Sequence, residues 1–363
     1  MCGGFFSRHT ARVGRCQTRY GFFKTRPLEM AQRSVMSKSW AILSPVLVVV
    51  ALAALSTVRL EVPRVVIEPP VIETRDRFMS VVAVDDVFWA VGKDGKIIRS
   101  EDAGKTWVRQ TTGLHTNFQS IAAWDAQKAV VVANEGKGLA TSDGGQTWQA
   151  ITLPVSDMGS GKVLRVRLDP QGRAWAVSEI NVIMRSADYG KTWERLTQVD
   201  DDVAWNDIAF TGEGTACVVG EFGRLACSAD DGVTWEPRPT NVEPSLMSIV
   251  FRDPQHGLAV GLSGTVLATD DAGATWRQVE VAGLERHLFD VIWTGARWVA
   301  VGDKGVLLTG DASAAHWEIG RVNPADFAWR IALAQHGEGF VAVGQNVGRW
   351  EAGQWELFGP RFH

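Results

Sequence analysis

The stretch SEDAGKTW at 100–107 returns as TSDGGQTW at 141–148, SADYGKTW at 186–193, SADDGVTW at 228–235 and TDDAGATW at 269–276. The closing tryptophans, Trp107, Trp148, Trp193, Trp235 and Trp276, are 41, 45, 42 and 41 residues apart, and a looser copy, TGDASAAHW, ends at Trp317 after another 41. A repeat of this length is one propeller blade. Upstream of each box lies a second signature, WAVGKDG from Trp89, VVVANEG, WAVSEIN, CVVGEFG, LAVGLSG and VAVGDKG, and it occurs a seventh time as VAVGQNVG from Val341. The seventh unit ends in GRWEAGQWELF without an octapeptide, so seven units fit between Phe78 and Phe358.

Each unit reads as four short antiparallel strands, for example SIAAW, AVVVA, GLATS and WQAI, with Gly or Asn between the second and third and the octapeptide between the third and fourth. The expected fold is all-β: a seven-bladed β-propeller of four-stranded antiparallel blades over 78–363. Because the chain enters on an inner strand, FMSVVAV, and leaves on an outer one, WELF, no blade is shared between the termini. Closure then rests on packing of the first blade against the last, or on a latch strand at Val71–Thr74.

In the octapeptide, the Asp carboxylate can accept turn N–H groups, Gly permits positive φ, the hydroxyls bond nearby backbone, and Trp buries its surface between sheets. Asp102, Asp143, Asp188, Asp230 and Asp271 are therefore read as structural. One carboxylate per blade lies spread around a ring, whereas a catalytic pair or a metal site must converge. No cofactor or metal is expected, and the histidines after the leader show no ligand spacing.

Residues 1–39 form a basic leader, expected to be cytoplasmic. Residues 1–60 hold nine Lys/Arg against the single Glu29, while the remainder carries 28 basic and 40 acidic residues. The uncharged run WAILSPVLVVVALAALSTV at 40–58 is long enough for a transmembrane or signal-anchor segment, and the charge bias places the downstream chain outside the cytoplasm. Cleavage after Ala51-Leu52-Ala53, giving a secreted form, and a start at Met30 or Met36 stay open as alternatives. Residues 59–77, with Pro63, Pro69 and Pro70, read as a spacer. An acidic body without a basic stripe excludes a nucleic-acid binder. Cys217 and Cys227 flank a Gly-containing turn and can either bridge a hairpin as a disulfide or stand as two small buried thiols.

Together, the octapeptide, known as the Asp box of the bacterial neuraminidase repeat, the apolar segment, the Pro-rich spacer and the seven VAVG repeats resemble the photosystem II stability and assembly factor family over about 65–358. The resemblance implies a non-catalytic scaffold that holds a membrane-protein complex or its assembly intermediate, working through a basic surface patch. This net-acidic chain lacks a sequence cluster for such a patch. An accessory subunit of an envelope transporter or other envelope complex is the alternative client. Asp boxes also occur in sialidases, but a sialidase needs a nucleophilic Tyr, and the two here are Tyr20, in the leader, and Tyr189, inside a box.

Aligning the inner-strand starts, FMSV, FQSI, VLRV, WNDI, LMSI, LFDV and AWRI, puts Ser80, Ser120, Arg165, Asp207, Ser248, Asp290 and Arg330 in one ring. Phe78, Phe118, Trp205, Phe289 and Trp329 flank it. Aromatics with Arg at a concave mouth suit a protein partner. The competing reading makes the aromatics inter-blade core and lets the two Arg and two Asp neutralise one another across the axis.

Overall fold

The computed structural model describes residues 38–57, 69–156, 159–196 and 203–359. Residues 1–37 of the basic leader, with Cys2, Cys16 and Tyr20, most of the spacer and His363 lie outside them. Two compact units divide the chain, Met1–Ile67 and Glu68–His363. In the first, Lys38–Thr57 is a helix of 20 residues containing Pro45, and its described side chains, including Val46–Val50 and Leu52, are exposed. Among the described residues no helix is long and apolar enough to cross a membrane.

The second unit is seven separate four-stranded antiparallel sheets, each in chain order from inner to outer strand, with no strand shared between first and last. The inner strands are Phe78–Val84, Phe118–Ala123, Val163–Leu168, Trp205–Gly212, Leu246–Phe251, Leu288–Trp293 and Arg330–His336. The second strands, each opening a VAVG signature, are almost wholly buried, as in Ala129–Ala133 and Trp298–Gly302. Continuous Val/Ala runs suit strands covered on both faces. Outer strands shrink to two residues in blades 3, 4 and 5 but reach five in Trp317–Arg321 and Gln354–Phe358.

The Asp boxes are closed turns. In blade 3, Ser186 Oγ donates to Asp188 Oδ1 at 2.9 Å and accepts from Gly190 N at 3.0 Å. Thr192 donates its N–H and hydroxyl to the same carboxylate, and Trp193 Nε1 donates to Gly190 O. The carboxylate bonds repeat at Asp102, Asp143, Asp230 and Asp271, and the indole bond repeats at Trp107, Trp235 and Trp276 but not at Trp148. Bonds from the Thr106 backbone and hydroxyl hold Asp102 at a pKa of about 2, and the Thr147 bonds do the same for Asp143. In the looser sixth copy, His316 Nδ1 takes the place of the Thr hydroxyl on Asp311, at 2.7 Å.

Each box also joins two blades. In blades 2 to 5 its glycine is left-handed and seats on the first residue of the preceding blade's VAVG signature. A Cβ added at Gly232 (φ +81) would lie 2.8 Å from the Trp175 ring, at Gly190 2.6 Å from Val130 and at Gly145 2.9 Å from Trp89. At Gly273 that neighbour is Cys217, which is joined to Cys227 across paired strands by a disulfide. The box tryptophans then fill the seams, Trp148 edge-on to Trp89 at 5.7 Å and Trp276 to Phe251 at 6.0 Å.

Closure comes from side-chain packing and a few side-chain bonds, without a shared strand. Phe78, Val81 and Phe88 of blade 1 share a core with Ala332, Val341 and Phe358 of blade 7. The Phe358 ring lies under Gly104, and Arg349 Nη1 donates to Ala103 O at 3.3 Å. Residues 71–74 form bends and a turn rather than a latch strand. Ile72, 8% exposed, packs into this same seam, and Asp76 pairs with Lys96. The end of the expected spacer is thus part of the propeller body, because an apolar side chain reaches the closing core.

Gly232→Ala should destabilise the protein by about 1–3 kcal/mol more than Gly113→Ala, a left-handed glycine with nothing within 4 Å, since only Gly232 meets a ring. Urea melts of the two variants measure this; equal losses would remove the seam contact from the account.

Candidate partner-binding mouth

Every inner strand but none of the second strands carries the same irregularity near its start. The pairing steps from Phe78↔Gly92 to Ser80↔Val91, and likewise at Phe118/Ser120, Val163/Arg165, Trp205/Asp207, Leu246/Ser248, Leu288/Asp290 and Arg330/Ala332. A bulge turns one residue out of the ladder and bends the strand. Seven of them in register make a rim of half-buried side chains: Met79, Gln119, Leu164, Asn206, Met247, Phe289 and Ile331. The rim is mostly apolar, tied at two places by Gln119 Nε2 donating to Asn134 Oδ1 and Asn206 Nδ2 to Leu246 O.

The residues after the bulge line the axis and stitch neighbouring blades. Ser80 Oγ accepts from Ile121 N at 3.3 Å, Ser120 Oγ from Val166 N at 3.2 Å, Asp207 Oδ2 from Ile249 N at 3.2 Å and Asp290 Oδ2 from Leu333 N at 2.7 Å. Ser248 Oγ lies between Asp207 and Asp290, 2.9 and 2.7 Å away, and its single proton is shared between the two carboxylates. Arg167 makes a two-pronged contact with Asp207, at 3.1 and 2.9 Å, and lies 3.5 Å from Asp290, while Arg165 lies 3.4 and 3.7 Å from the same two carboxylates. Burial alone would raise Asp207, but the Arg167 and Arg165 guanidiniums hold it below the ordinary carboxylate range. Burial likewise opposes the charge on Arg167, and Asp207 with Asp290 more than restores it, so its pKa is raised. The axis therefore carries two paired charges of each sign beside a cavity of about 560 Å³ that runs from Ser80 and Ser120 to His336.

Several expected mouth residues lie elsewhere. Phe78, Phe118 and Trp205 are at most 1% exposed and belong to inter-blade cores. Arg330 occupies the position of Phe78, two residues before the ring, whose seventh member is Ala332. The guanidinium of Arg330 is buried over the Trp355 ring and bonds Ala328 O and Asp326, both at 2.6 Å, and burial lowers its pKa. Trp329, one position earlier, is half-buried at the linker into blade 7. Phe289 does stand at the rim, and Asp207, Asp290 and Arg165 do line the axis. The partner of the two carboxylates that sequence reasoning missed is Arg167, recognisable in hindsight as the residue two after Arg165 and hence on the same face. The spacing to the glycine of VAVG also distinguishes the ring, since it is 12 from Ser80, Asp290 and Ala332 but 14 from Arg330.

Two family models match the chain: the photosynthesis system II assembly factor YCF48 over residues 228–325 and the DUF6242 beta propeller domain over 67–163. The photosystem II assembly protein Ycf48 of Thermosynechococcus vestitus is 26% identical over 182 residues, 48% of this chain and 50% of the relative. The match thus spans about half of that relative's length. A photosystem II assembly lipoprotein Ycf48 of Synechococcus is 24% identical over 243 residues, 65% of this chain and 72% of its own. Among solved structures, YCF48 bound to D1 peptide superposes with a TM-score of 0.63 at 18% identity, covering 76% of this chain and 90% of that one. A virginiamycin B lyase from Staphylococcus aureus reaches 0.60 at 14%, covering 68% and 86%. These likenesses show the propeller fold.

Asp207→Asn leaves two guanidiniums short of a partner at the axis and should cost about 3–5 kcal/mol, whereas the double change Asp207→Leu with Arg167→Leu should recover at least part of the loss. Denaturant titration of the singles and the double gives the coupling; a single-variant cost below about 1 kcal/mol would contradict the network.

Proposed function

The chain belongs to a photosystem II assembly factor-like family of repeat propellers, and from that premise we propose that it is a non-catalytic scaffold outside the cytoplasm for a membrane-protein complex or its assembly intermediate. The carrying observation is the bulge rim. Five apolar side chains, Met79, Leu164, Met247, Phe289 and Ile331, are half-buried around one mouth. Such a surface favours a polypeptide partner over a small charged substrate.

The chemistry of the axis supports this reading. Its carboxylates are committed to Arg, Ser and backbone N–H groups, and those of the Asp boxes to their own turns. Tyr189 stands edge-on to Trp124 within a box turn, an environment that offers a sialidase-type nucleophile no activating base. The basic leader ahead of the uncharged run 40–58 supports attachment to a membrane through that segment, and the Cys217–Cys227 bridge suits an oxidising compartment. The relatives' names make photosystem II the first client to test. The net-acidic body leaves an envelope transporter or another envelope complex as the second reading.

Tagged protein captured from its native membranes in mild detergent, then identified by mass spectrometry, should bring down integral-membrane subunits. Met247→Asp with Phe289→Asp should lower that recovery about tenfold while leaving the thermal melt intact. Photosystem subunits would make the client that of the relatives, and transporter subunits would reassign it. Capture unchanged by the double variant would remove the mouth from the proposal.

A further inference from the structure

The seam between blades 6 and 7 is unlike the others, because the unit that should close it has lost its octapeptide. Blade 7 joins its third and outer strands by the two-residue turn Ala352-Gly353, both left-handed, between paired Glu351 and Gln354. No Asp-box glycine therefore seats on Val299, the blade-6 counterpart of Trp89, Val130, Trp175 and Cys217. In its place is a groove of about 790 Å³ walled by Trp350, which stacks on Phe340 at 6.2 Å, with Val299 and Leu307, only 2% and 6% exposed, at its base.

A charge is left over in the same place. Arg173 ends the turn between the inner and second strands of blade 3 and makes a two-pronged pair, at 2.8 and 2.6 Å, with Asp231 in the Asp box of blade 4. Arg297 holds the equivalent position in blade 6, directly before a second strand whose first residue pairs with the last residue of the inner strand in both blades. It lines the groove, is exposed, and meets no box carboxylate.

We propose that this seam is a docking site for a single turn of a partner polypeptide shaped like the missing Asp box. The turn places a small residue on Val299, an aromatic side chain against Trp350, and one carboxylate on Arg297. Complementarity of charge fixes the occupant's chemistry: Glu318, Glu338 and Arg321 also line the groove, and because Arg321 is held over the Phe327 ring and bonds Pro324 O, Arg297 is the cation that takes the carboxylate while the two glutamates repel a second one. The inference rests on the scaffold reading only for the source of the turn. Binding by purified protein tests the groove and client capture tests the reading, so either can fail alone.

The probe is the chain's own blade-4 box as a capped, fluorescein-labelled peptide, SADDGVTW, titrated by anisotropy against the full-length protein in mild detergent. Saturable binding is expected. It should weaken about tenfold or more with Arg297→Glu, and equally when the fourth residue of the peptide is changed from Asp to Asn. Gly320→Leu narrows the groove from a point where an added Cβ has only Leu307 O within 4 Å, and it should block the peptide while the melt stays unchanged. Absence of saturable binding to the unmodified protein, or binding that survives both Arg297→Glu and Gly320→Leu, overturns the proposal.

Discussion

The contact on which this ring depends is that of an Asp-box glycine against the second strand of the blade before it. Only a residue without Cβ can approach Trp175 or Val130 so closely while holding a left-handed φ, and the turn that presents it is fixed by one carboxylate and two hydroxyls. Local hydrogen bonding and long-range packing are thereby met by the same eight residues. This is why the octapeptide recurs where strand sequences drift, and why five tryptophans close it at a near-constant step.

Variation around that contact explains the individuality of the seams. Between blades 3 and 4, Asp231 adds pairs to Arg173 and Arg185, and between blades 4 and 5 the Cys217–Cys227 bridge lies under Gly273. At the closing seam the last aromatic of the final strand, Phe358, supplies the surface that the box of blade 1 sits on. Where the box is missing, the space remains. The same economy governs the axis, where a bulge frees one N–H per inner strand and a Ser or Asp of the preceding blade accepts it at four places around the ring.

Much of this is legible in the sequence, because repeats carry their own alignment. Blade count, strand order, the structural role of Asp102 to Asp271 and the unshared termini all derive from the two signatures. The mouth is less legible. Bulges do not announce themselves in a strand of alternating side chains, so Phe78, Phe118 and Trp205 look like rim when they are core, and the row that does turn outward, Met79 to Ile331, carries no mark in one dimension. Arg330 enters the ring through an alignment two residues out of step, with the burial of its guanidinium over Trp355 hidden from any linear reading. Which guanidiniums neutralise Asp207 and Asp290 depends on that register.

The scaffold account stands or falls on what touches the rim in the living membrane. A photo-reactive amino acid placed at Phe289, irradiated in native membranes and analysed by mass spectrometry, addresses that contact directly. The account predicts cross-links to an integral-membrane subunit that are absent when the same group is placed at the exposed outer-strand position Val108. Cross-links from Phe289 only to solvent-borne small molecules, or to the same subunit from both positions, would contradict it.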